Sequence, residues 1–407
     1  MNQTPSSSRL HIALFGRRNA GKSSLLNALT HQQAALVSAE PGTTTDPVAK
    51  AMELLPLGPV VFIDTAGLDD RGSLGEMRVE KSYEVLNRTD LAVLVLDGPT
   101  GLTDFDIHLL ENVRFKGIPV VGVINKQDIV DDLPEKRREW EAKLGLELIE
   151  VSAVSGQGLD ALKMALVHNA SVDDLKQVLT GDLLRPGDLA VLVVPIDKAA
   201  PKGRLILPQQ QVIRDILDHN ALALVTKETE LQAALNFLDK KPALVITDSQ
   251  AFAMAAAHTP REIPLTSFSI LLARQKGDLQ QLVRGALAIK ELRPGDRVLI
   301  AEGCTHHRQS DDIGTVKIPR WLRQTVGGEL EFEWTSGLTL PQDLHRYRLV
   351  VHCGGCMLNR REMLYRLSLA REQGVPMVNY GVLIAYVQGI LPRVLEPFPE
   401  VREIIGE

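Results

Sequence analysis

The chain of 407 residues has few aromatic side chains and no marked excess of charge. Phe, Trp and Tyr make up only 4% of it, so its hydrophobic cores must consist mainly of Leu, Val, Ile and Ala. The 45 basic and 51 acidic residues leave a net charge of −6, which gives no sign of a nucleic-acid-binding surface. No apolar run approaches the ~18 residues of a membrane-spanning helix. We therefore expect binding to neither nucleic acid nor membrane.

Cysteine is equally scarce, with three residues in the whole chain. An odd number argues against a purely structural disulfide framework, and the polar first eight residues lack the apolar core of a signal peptide. Unpaired thiols are typical of a reducing compartment, so we expect a cytoplasmic location. A chain of this length has room for two or three domains, each with its own core.

Short apolar runs alternate with helical stretches along the chain, which is the pattern of parallel α/β sheets. The alternation falls into three series, and we predict an α/β fold of three domains. Their predicted bounds are residues 9–170, 182–266 and 270–407.

A glycine-containing loop follows the first apolar run and precedes a helical stretch, which is the context of a P-loop. Glycines let such a loop curl so that its N–H groups point at phosphate oxygens, and the helix N-terminus adds a favourable dipole. Lys22 would reach the β- and γ-phosphates, and Ser23 would ligate Mg²⁺. The candidate nucleotide-binding residues of this loop are Gly16, Asn19, Ala20, Gly21, Lys22, Ser23 and Ser24.

Three further motifs indicate that the nucleotide carries guanine. Asp64 ends an apolar run and would organise Mg²⁺, and Gly67 would place its N–H near the γ-phosphate. Asn125, Lys126 and Asp128 follow another run, and Asp128 can accept hydrogen bonds from guanine N1–H and the 2-amino group, a pair that adenine does not offer. Ser152 and Ala153 follow a third run and can place an N–H against guanine O6. The sequence therefore predicts a site for GTP and Mg²⁺ at the carboxyl ends of the strands.

These motifs together resemble the translation-factor-like GTPases of the TrmE–Era–EngA group. The resemblance makes Thr44 the Mg²⁺-sensing threonine of switch I, with Thr43 and Thr45 as alternatives in register. Residue 68 is leucine, which cannot position the attacking water as a glutamine does, so hydrolysis must be slow or assisted. In potassium-activated relatives, the asparagine at the place of Asn19 coordinates K⁺. A simple turn-forming role for Asn19 is the alternative.

The three cysteines form a split constellation, Cys304-Thr-His306 and His352-Cys353-Gly-Gly-Cys356. Each half follows a short apolar run, so both sets of thiols should emerge at strand ends. Thiolates and imidazoles are ligands for iron–sulfur clusters and for zinc. A 4Fe–4S cluster held by three thiolates would leave one iron for a histidine or an exchangeable ligand. A closed zinc site with three cysteines and one histidine is the competing interpretation.

A GTPase domain followed by this cysteine pattern resembles the HydF family of FeFe-hydrogenase maturation proteins. The resemblance implies a P-loop GTPase domain, a middle dimerisation domain and a cluster domain with a 4Fe–4S cluster on Cys304, Cys353 and Cys356. It further implies a homodimer that receives a diiron precursor from radical-SAM maturases and passes it as transient cargo to apo FeFe-hydrogenase. The alternative function is a regulatory GTPase with a structural zinc site, acting in ribosome or RNA assembly.

The fourth iron ligand stays open between His306, His352 and an exogenous group. His306 lies two residues after Cys304, so an extended segment would put both side chains on one face. His352 directly precedes Cys353, and neighbours on a strand point to opposite faces. This alternation of side chains favours His306 as the fourth iron ligand. Both histidines could instead hydrogen-bond the cluster sulfurs or line the cargo pocket.

Overall fold

The structure is a computed structural model. It describes residues 4–30, 47–66, 81–170, 179–196, 205–303, 312–337 and 340–406. The chain divides into two compact units, Met1–Lys176 and Gln177–Glu407. The first unit contains one sheet and the second contains two. The predicted α/β fold is thereby confirmed, and the three predicted domains correspond to three sheets. No helix within the described ranges is both long and apolar enough to cross a membrane.

The strands are numbered in chain order. Those of the first unit are β1 Leu10–Phe15, β2 Val48–Leu54, β3 Gly58–Asp64, β4 Leu91–Asp97, β5 Val120–Asn125 and β6 Leu148–Glu150. Those of the second unit are β7 Leu189–Val193, β8 Leu222–Thr226, β9 Leu244–Thr247, β10 Leu265–Ser267, β11 Arg297–Glu302, β12 Glu331–Ser336, β13 Leu349–His352 and β14 Met377–Asn379.

The first sheet has the strand order β2-β3-β1-β4-β5-β6, and only β2 is antiparallel to its neighbour. Every residue of β1 is buried, because helices cover both faces of the sheet. Two hydrophobic clusters, one on each side of the sheet, form the core of this unit. Parallel strands end at one common edge, so the loops that follow β1, β3, β5 and β6 meet there.

The second unit holds two four-stranded sheets in which all strands are parallel. Their orders are β10-β9-β7-β8 and β12-β11-β13-β14. A single hydrophobic cluster runs through both sheets and their helices. The helix Phe268–Lys276 begins where β10 ends, and its first turn is capped by Ser267, whose Oγ accepts a hydrogen bond from the N–H of Ile270 at 3.2 Å.

The α-helices of the described residues are Lys22–Thr30, Asp104–Phe115, Leu133–Leu144, Leu159–Asn169, Leu207–Asp218, Leu231–Phe237, Phe252–His258, Phe268–Lys276, Leu279–Leu287, Ile318–Val326, Arg360–Glu372, Tyr380–Val387, Leu391–Leu395 and Pro399–Ile405. Short 3₁₀ turns occur at Ser6–Ser8, Gln127–Ile129, Glu228–Glu230, Ser249–Ala251 and Ala288–Glu291, and a π-helical turn at Ile313–Lys317 precedes the helix that starts at Ile318.

Candidate nucleotide and metal sites

The predicted P-loop lies between β1 and the helix Lys22–Thr30. Two of its glycines have positive φ angles, +152° at Gly16 and +86° at Gly21, where a side chain would be strained. A Cβ atom on Gly16 would also lie 2.4 Å from the carbonyl oxygen of Val95 on the neighbouring strand. The loop therefore requires glycine both for its curvature and for its close approach to β4.

Lys22 is almost fully buried at the start of the helix. Its Nζ donates hydrogen bonds to the carbonyl oxygens of Gly16 at 3.0 Å and Arg17 at 2.8 Å. The ammonium group thus lies within the curve of the loop. This is the location from which a P-loop lysine can reach the β- and γ-phosphates.

The magnesium side of the predicted site is formed by Ser23 and Asp64. Asp64 is the last residue of β3, and the Ser23 hydroxyl donates a hydrogen bond to its carboxylate. Burial raises the pKa of Asp64, while the Ser23 hydrogen bond and the charge of Lys22 act in the opposite direction. A hydroxyl and a carboxylate in contact beside a buried ammonium group are suited to hold Mg²⁺ between protein and phosphates.

Asn125 joins the P-loop to the base-binding segment. Its Nδ2 donates to the carbonyl oxygen of Ala20 at 2.9 Å, and its Oδ1 accepts from the N–H of Ala153 at 3.2 Å. The neighbouring Lys126 donates to the carbonyl oxygen of Asn19 at 2.7 Å and pairs with Asp97 at 2.9 Å. The end of β5 therefore fixes the loops that follow β1 and β6 through hydrogen bonds.

The remaining base-binding candidates lie at the same edge of the sheet. Asp128 is exposed in the short turn Gln127–Ile129 that follows β5, where its carboxylate can meet a base. Ser152 is fully buried, and its Oγ accepts from the N–H of Ser155 at 3.1 Å, which shapes the turn next to Ala153. Asn19 and Ser24 are exposed on the P-loop and the first turn of its helix. The φ of Asn19 is +62°, a conformation that asparagine adopts readily.

Several predicted residues lie outside the described residues. They are Thr44 with its alternatives Thr43 and Thr45, Gly67 and Leu68 near the nucleotide, and Cys304 and His306 in the metal constellation. Their roles stay predictions.

The second half of the cysteine constellation follows β13 directly, as the sequence predicts. Cys353 Sγ accepts hydrogen bonds from the N–H of Gly303 at 3.1 Å and of Gly355 at 3.4 Å. Gly303 is the last described residue after β11, and β11 pairs with β13, so these two strand ends are adjacent. Burial raises the pKa of the Cys353 thiol, and the two N–H groups oppose that shift.

His352 belongs to a buried network behind the cysteine loop. Its Nδ1 donates to the carbonyl oxygen of Cys353 at 2.7 Å, and its Nε2 accepts from Arg366 at 2.9 Å. Burial, with the positive charge of Arg366, lowers the pKa of His352 to about 3, so the imidazole is neutral. Both ring nitrogens are occupied by protein groups in this arrangement. The geometry therefore favours His306 or an exogenous group over His352 as the fourth ligand.

Arg366 and Lys276 are the residues of this region that sequence reasoning missed. Arg366 is fully buried and pairs with Glu362 at 2.9 Å. Lys276 is 5% exposed and donates to the carbonyl oxygens of Gly355, Cys356 and Leu358. Burial lowers the pKa of Lys276 to about 8, and the charges of Cys356 and Cys353 act in the opposite direction. Lys276 lies 77 positions before Cys353, so no local motif connects the two.

The chemistry of this loop fits a thiolate-bound metal centre. Cys353 and Cys356 are half-buried, and backbone N–H groups already point at the sulfur of Cys353. A buried ammonium group beneath the loop supplies positive charge close to both thiols. Such donors and charges stabilise anionic thiolate–metal centres, and an iron–sulfur cluster is one of these.

Two family models match the second unit in succession. The hydrogen maturase F dimerization domain matches residues 179–277, and the hydrogen maturase F tetramerization domain matches residues 280–397. The chain belongs to the hydrogen maturase F family. Residues 11–126 match the model of the 50S ribosome-binding GTPases, so the first unit of this family member is a P-loop GTPase domain. The domain bounds that we predict from the sequence stay predictions.

Curated relatives resemble the first part of the chain. The tRNA modification GTPase MnmE of Desulforamulus reducens is 39% identical over 160 residues, covering 39% of this chain and 34% of that protein. GTPase Der of Xylella fastidiosa is 32% identical over 255 residues, covering 59% of this chain and 54% of that protein. The chain spans about a third to a half of the length of these relatives.

Solved structures of GTPase domains also resemble the chain. Aquifex aeolicus Era bound to GDP·AlF₄⁻ has a TM-score of 0.36 and 20% identity, covering 53% of this chain and 93% of that one. The G domain of T. maritima FeoB has a TM-score of 0.32 and 26% identity, covering 40% of this chain and 99% of that one.

Proposed function

We propose that this protein is a GTP-hydrolysing iron–sulfur scaffold that carries a diiron precursor and delivers it to apo FeFe-hydrogenase. One observation carries the proposal. A P-loop at the carboxyl edge of one sheet and a cysteine loop after β13 of another occur in a chain that belongs to the hydrogen maturase F family. Family membership supports the hydrogenase as the recipient of the diiron precursor. The two candidate sites support GTP hydrolysis and the binding of an iron–sulfur cluster.

In the nucleotide site, each described residue has one task. Lys22 binds the β- and γ-phosphates, and Ser23 and Asp64 hold Mg²⁺. Asp128 recognises guanine, while Asn125 fixes the two loops between which the nucleotide binds. Hydrolysis is slow, because Leu68 cannot orient water. K⁺ held with the help of Asn19 accelerates it by stabilising charge that develops on the phosphates.

In the metal site, Cys304, Cys353 and Cys356 bind a 4Fe–4S cluster, whose open iron supplies an attachment point for cargo. The N–H groups of Gly303 and Gly355 orient Cys353. The Arg366–His352 network holds the backbone of Cys353 from behind. His306 or an exogenous group completes the coordination, and this ligand is exchangeable.

The matches to a dimerization and a tetramerization domain support self-association, and we propose a homodimer as the basic assembly. The further partners are radical-SAM maturases, which supply the diiron unit, and the apo-hydrogenase, which receives it. Neither nucleic acid nor membrane is a partner in this proposal.

An activation assay tests the proposal. The chain is produced together with the maturases, purified anaerobically and mixed with apo FeFe-hydrogenase, and hydrogen evolution is measured. The wild type should activate the hydrogenase. Lys22→Ala should keep its cluster and fail to support maturation, because it cannot bind the nucleotide phosphates productively. Full activation by Lys22→Ala would remove GTP from the proposed cycle.

The second candidate is a regulatory GTPase with a structural zinc site, acting in ribosome or RNA assembly. The names of the MnmE relatives and of the family model for residues 11–126 favour it. The net charge of −6 and the two matches in the second unit favour the first proposal. A colourless protein that contains zinc after anaerobic purification would support the second candidate.

A further inference from the structure

We propose that Lys276 is a positioning residue for the metal cluster, because its ammonium group holds the Cys353–Cys356 loop in place and offsets the negative charge of the thiolate-bound cluster. The inference rests on the proposed function, since it assumes that these cysteines carry an iron–sulfur cluster.

The contacts of Lys276 are concentrated on a single turn. Its Nζ donates to the carbonyl oxygens of Gly355 at 3.3 Å, Cys356 at 3.1 Å and Leu358 at 2.9 Å. An ammonium group has three N–H donors, so this turn uses all of them. The three acceptors fix the backbone at Cys356 and on both sides of it.

The charge of Lys276 has no carboxylate to balance it among the described residues. Lysine is rarely buried without a partner of opposite charge, yet Lys276 is 5% exposed. Its ammonium group instead contacts the backbone of the loop that carries Cys353 and Cys356. A cluster with three thiolate ligands would carry negative charge at this place, and a buried cation beside it would be stabilised in turn.

The position of Lys276 in the chain ties two segments together. It is the last residue of the helix Phe268–Lys276, which belongs to the segment matched by the dimerization model, whereas the cysteine loop belongs to the next segment. Arg360 reinforces the junction by donating to the carbonyl oxygen of Gln275 at 2.7 Å. The helix end donates hydrogen bonds to the cysteine loop through Lys276, and it accepts one from Arg360, which follows that loop.

Removal of this ammonium group should change the cluster itself. The reduction potential of an iron–sulfur cluster depends on nearby charge and on hydrogen bonding, so loss of a buried cation should lower the potential. The loop would also lose three charge-assisted hydrogen bonds, and the cluster should leave the protein more readily.

Three full-length variants test the inference after anaerobic reconstitution with iron and sulfide. Lys276→Met removes the charge, Lys276→Arg keeps it, and Lys290→Met is the control at an exposed lysine. The measurements are a redox titration of the cluster, the rate of iron release to a chelator, and thermal unfolding of both the metal-free and the cluster-loaded chain. Lys276→Met should show a lower potential and iron release on the order of tenfold faster, equivalent to about 1.4 kcal/mol. Lys276→Arg should restore the potential, and Lys290→Met should match the wild type.

A Lys276→Met cluster with wild-type potential and release rate would overturn the inference alone. Equal destabilisation of the metal-free and the loaded Lys276→Met chains, or failure of the metal-free variant to fold, would also overturn it, because Lys276 would then serve only the fold. A wild type that takes up no cluster would overturn the proposed function and the inference together.

Discussion

Asn125 shows how one side chain can organise a binding site assembled from separate loops. Its side-chain amide forms two hydrogen bonds: Nδ2 donates to Ala20 in the P-loop, and Oδ1 accepts from Ala153 after β6. Its motif places it at a strand end, which made it recognisable from the sequence. Its exact hydrogen bonds, like those of Lys276, depend on which loops the fold brings together and could not be read from spacing.

Guanine specificity should depend on Asp128. Asp128→Ala removes the carboxylate that we propose accepts two hydrogen bonds from guanine, and a charged hydrogen bond contributes about 1.5–3 kcal/mol. We expect the affinity for GTP to fall at least about tenfold, measured by titration with a fluorescent GTP analogue. Asp131→Ala, at an exposed carboxylate nearby, should bind as the wild type does. Equal affinities of the wild type for ATP and GTP would contradict this assignment.

Potassium dependence should depend on Asn19. If its side chain helps to hold K⁺, the wild type should hydrolyse GTP faster in K⁺ than in Na⁺ at matched ionic strength. Asn19→Gly retains the positive φ of 62° without strain and removes the amide, so its hydrolysis rate should be the same in both salts. Indistinguishable wild-type rates in K⁺ and Na⁺ would leave Asn19 as a turn residue only.

Strands that carry apolar runs were predictable, and the polar edge strands β2 and β12 were not. The apolar runs of β1, β4 and β13 stand out because helices or other strands cover them completely. β2 and β12 lie at sheet edges, and several of their residues are exposed and polar, so no apolar run marks them. β2 pairs with β3, which follows it directly in the chain, whereas β12 pairs with the earlier strand β11.

The turn between β1 and its helix should not tolerate a side chain at Gly21. A Cβ atom there would lie 2.2 Å from Nδ2 of Asn125, so Gly21→Ala should push that amide away from Ala20 and Ala153. We expect GTP affinity to fall by at least about tenfold, because both hydrogen bonds of the bridge are disturbed. Binding titrations with the folded variant measure this loss.

Comparison of Gly117→Ala with Gly21→Ala separates the effect of the contact with Asn125 from the effect of backbone strain. Gly117 also has a positive φ, +62°, but a Cβ atom would meet nothing within 4 Å. This variant should lose some stability and keep its GTP affinity. If Gly21→Ala and Gly117→Ala lost GTP affinity equally, the contact with Asn125 would not be the cause of the loss in Gly21→Ala.

The nucleotide site and the described cysteines belong to different compact units. Each candidate site lies in a sheet of its own, at the carboxyl ends of parallel strands. The order of these sheets was predictable from the apolar runs, and strand-end motifs mark the two candidate sites, whose chemistry stays a prediction. The single core that joins the second and third sheets was not, because helix packing between sheets leaves no motif in the sequence.

The central claim is that one chain carries a guanine nucleotide site and a separate 4Fe–4S site. Electron paramagnetic resonance of the reduced protein after anaerobic reconstitution, with GTP hydrolysis measured on the same samples, tests it most directly. The wild type should show a 4Fe–4S signal, and Cys353→Ser should lose the signal while its GTP hydrolysis stays near the wild-type rate. A wild type without the signal that instead contains zinc, or a Cys353→Ser variant that cannot bind GTP, would contradict the account.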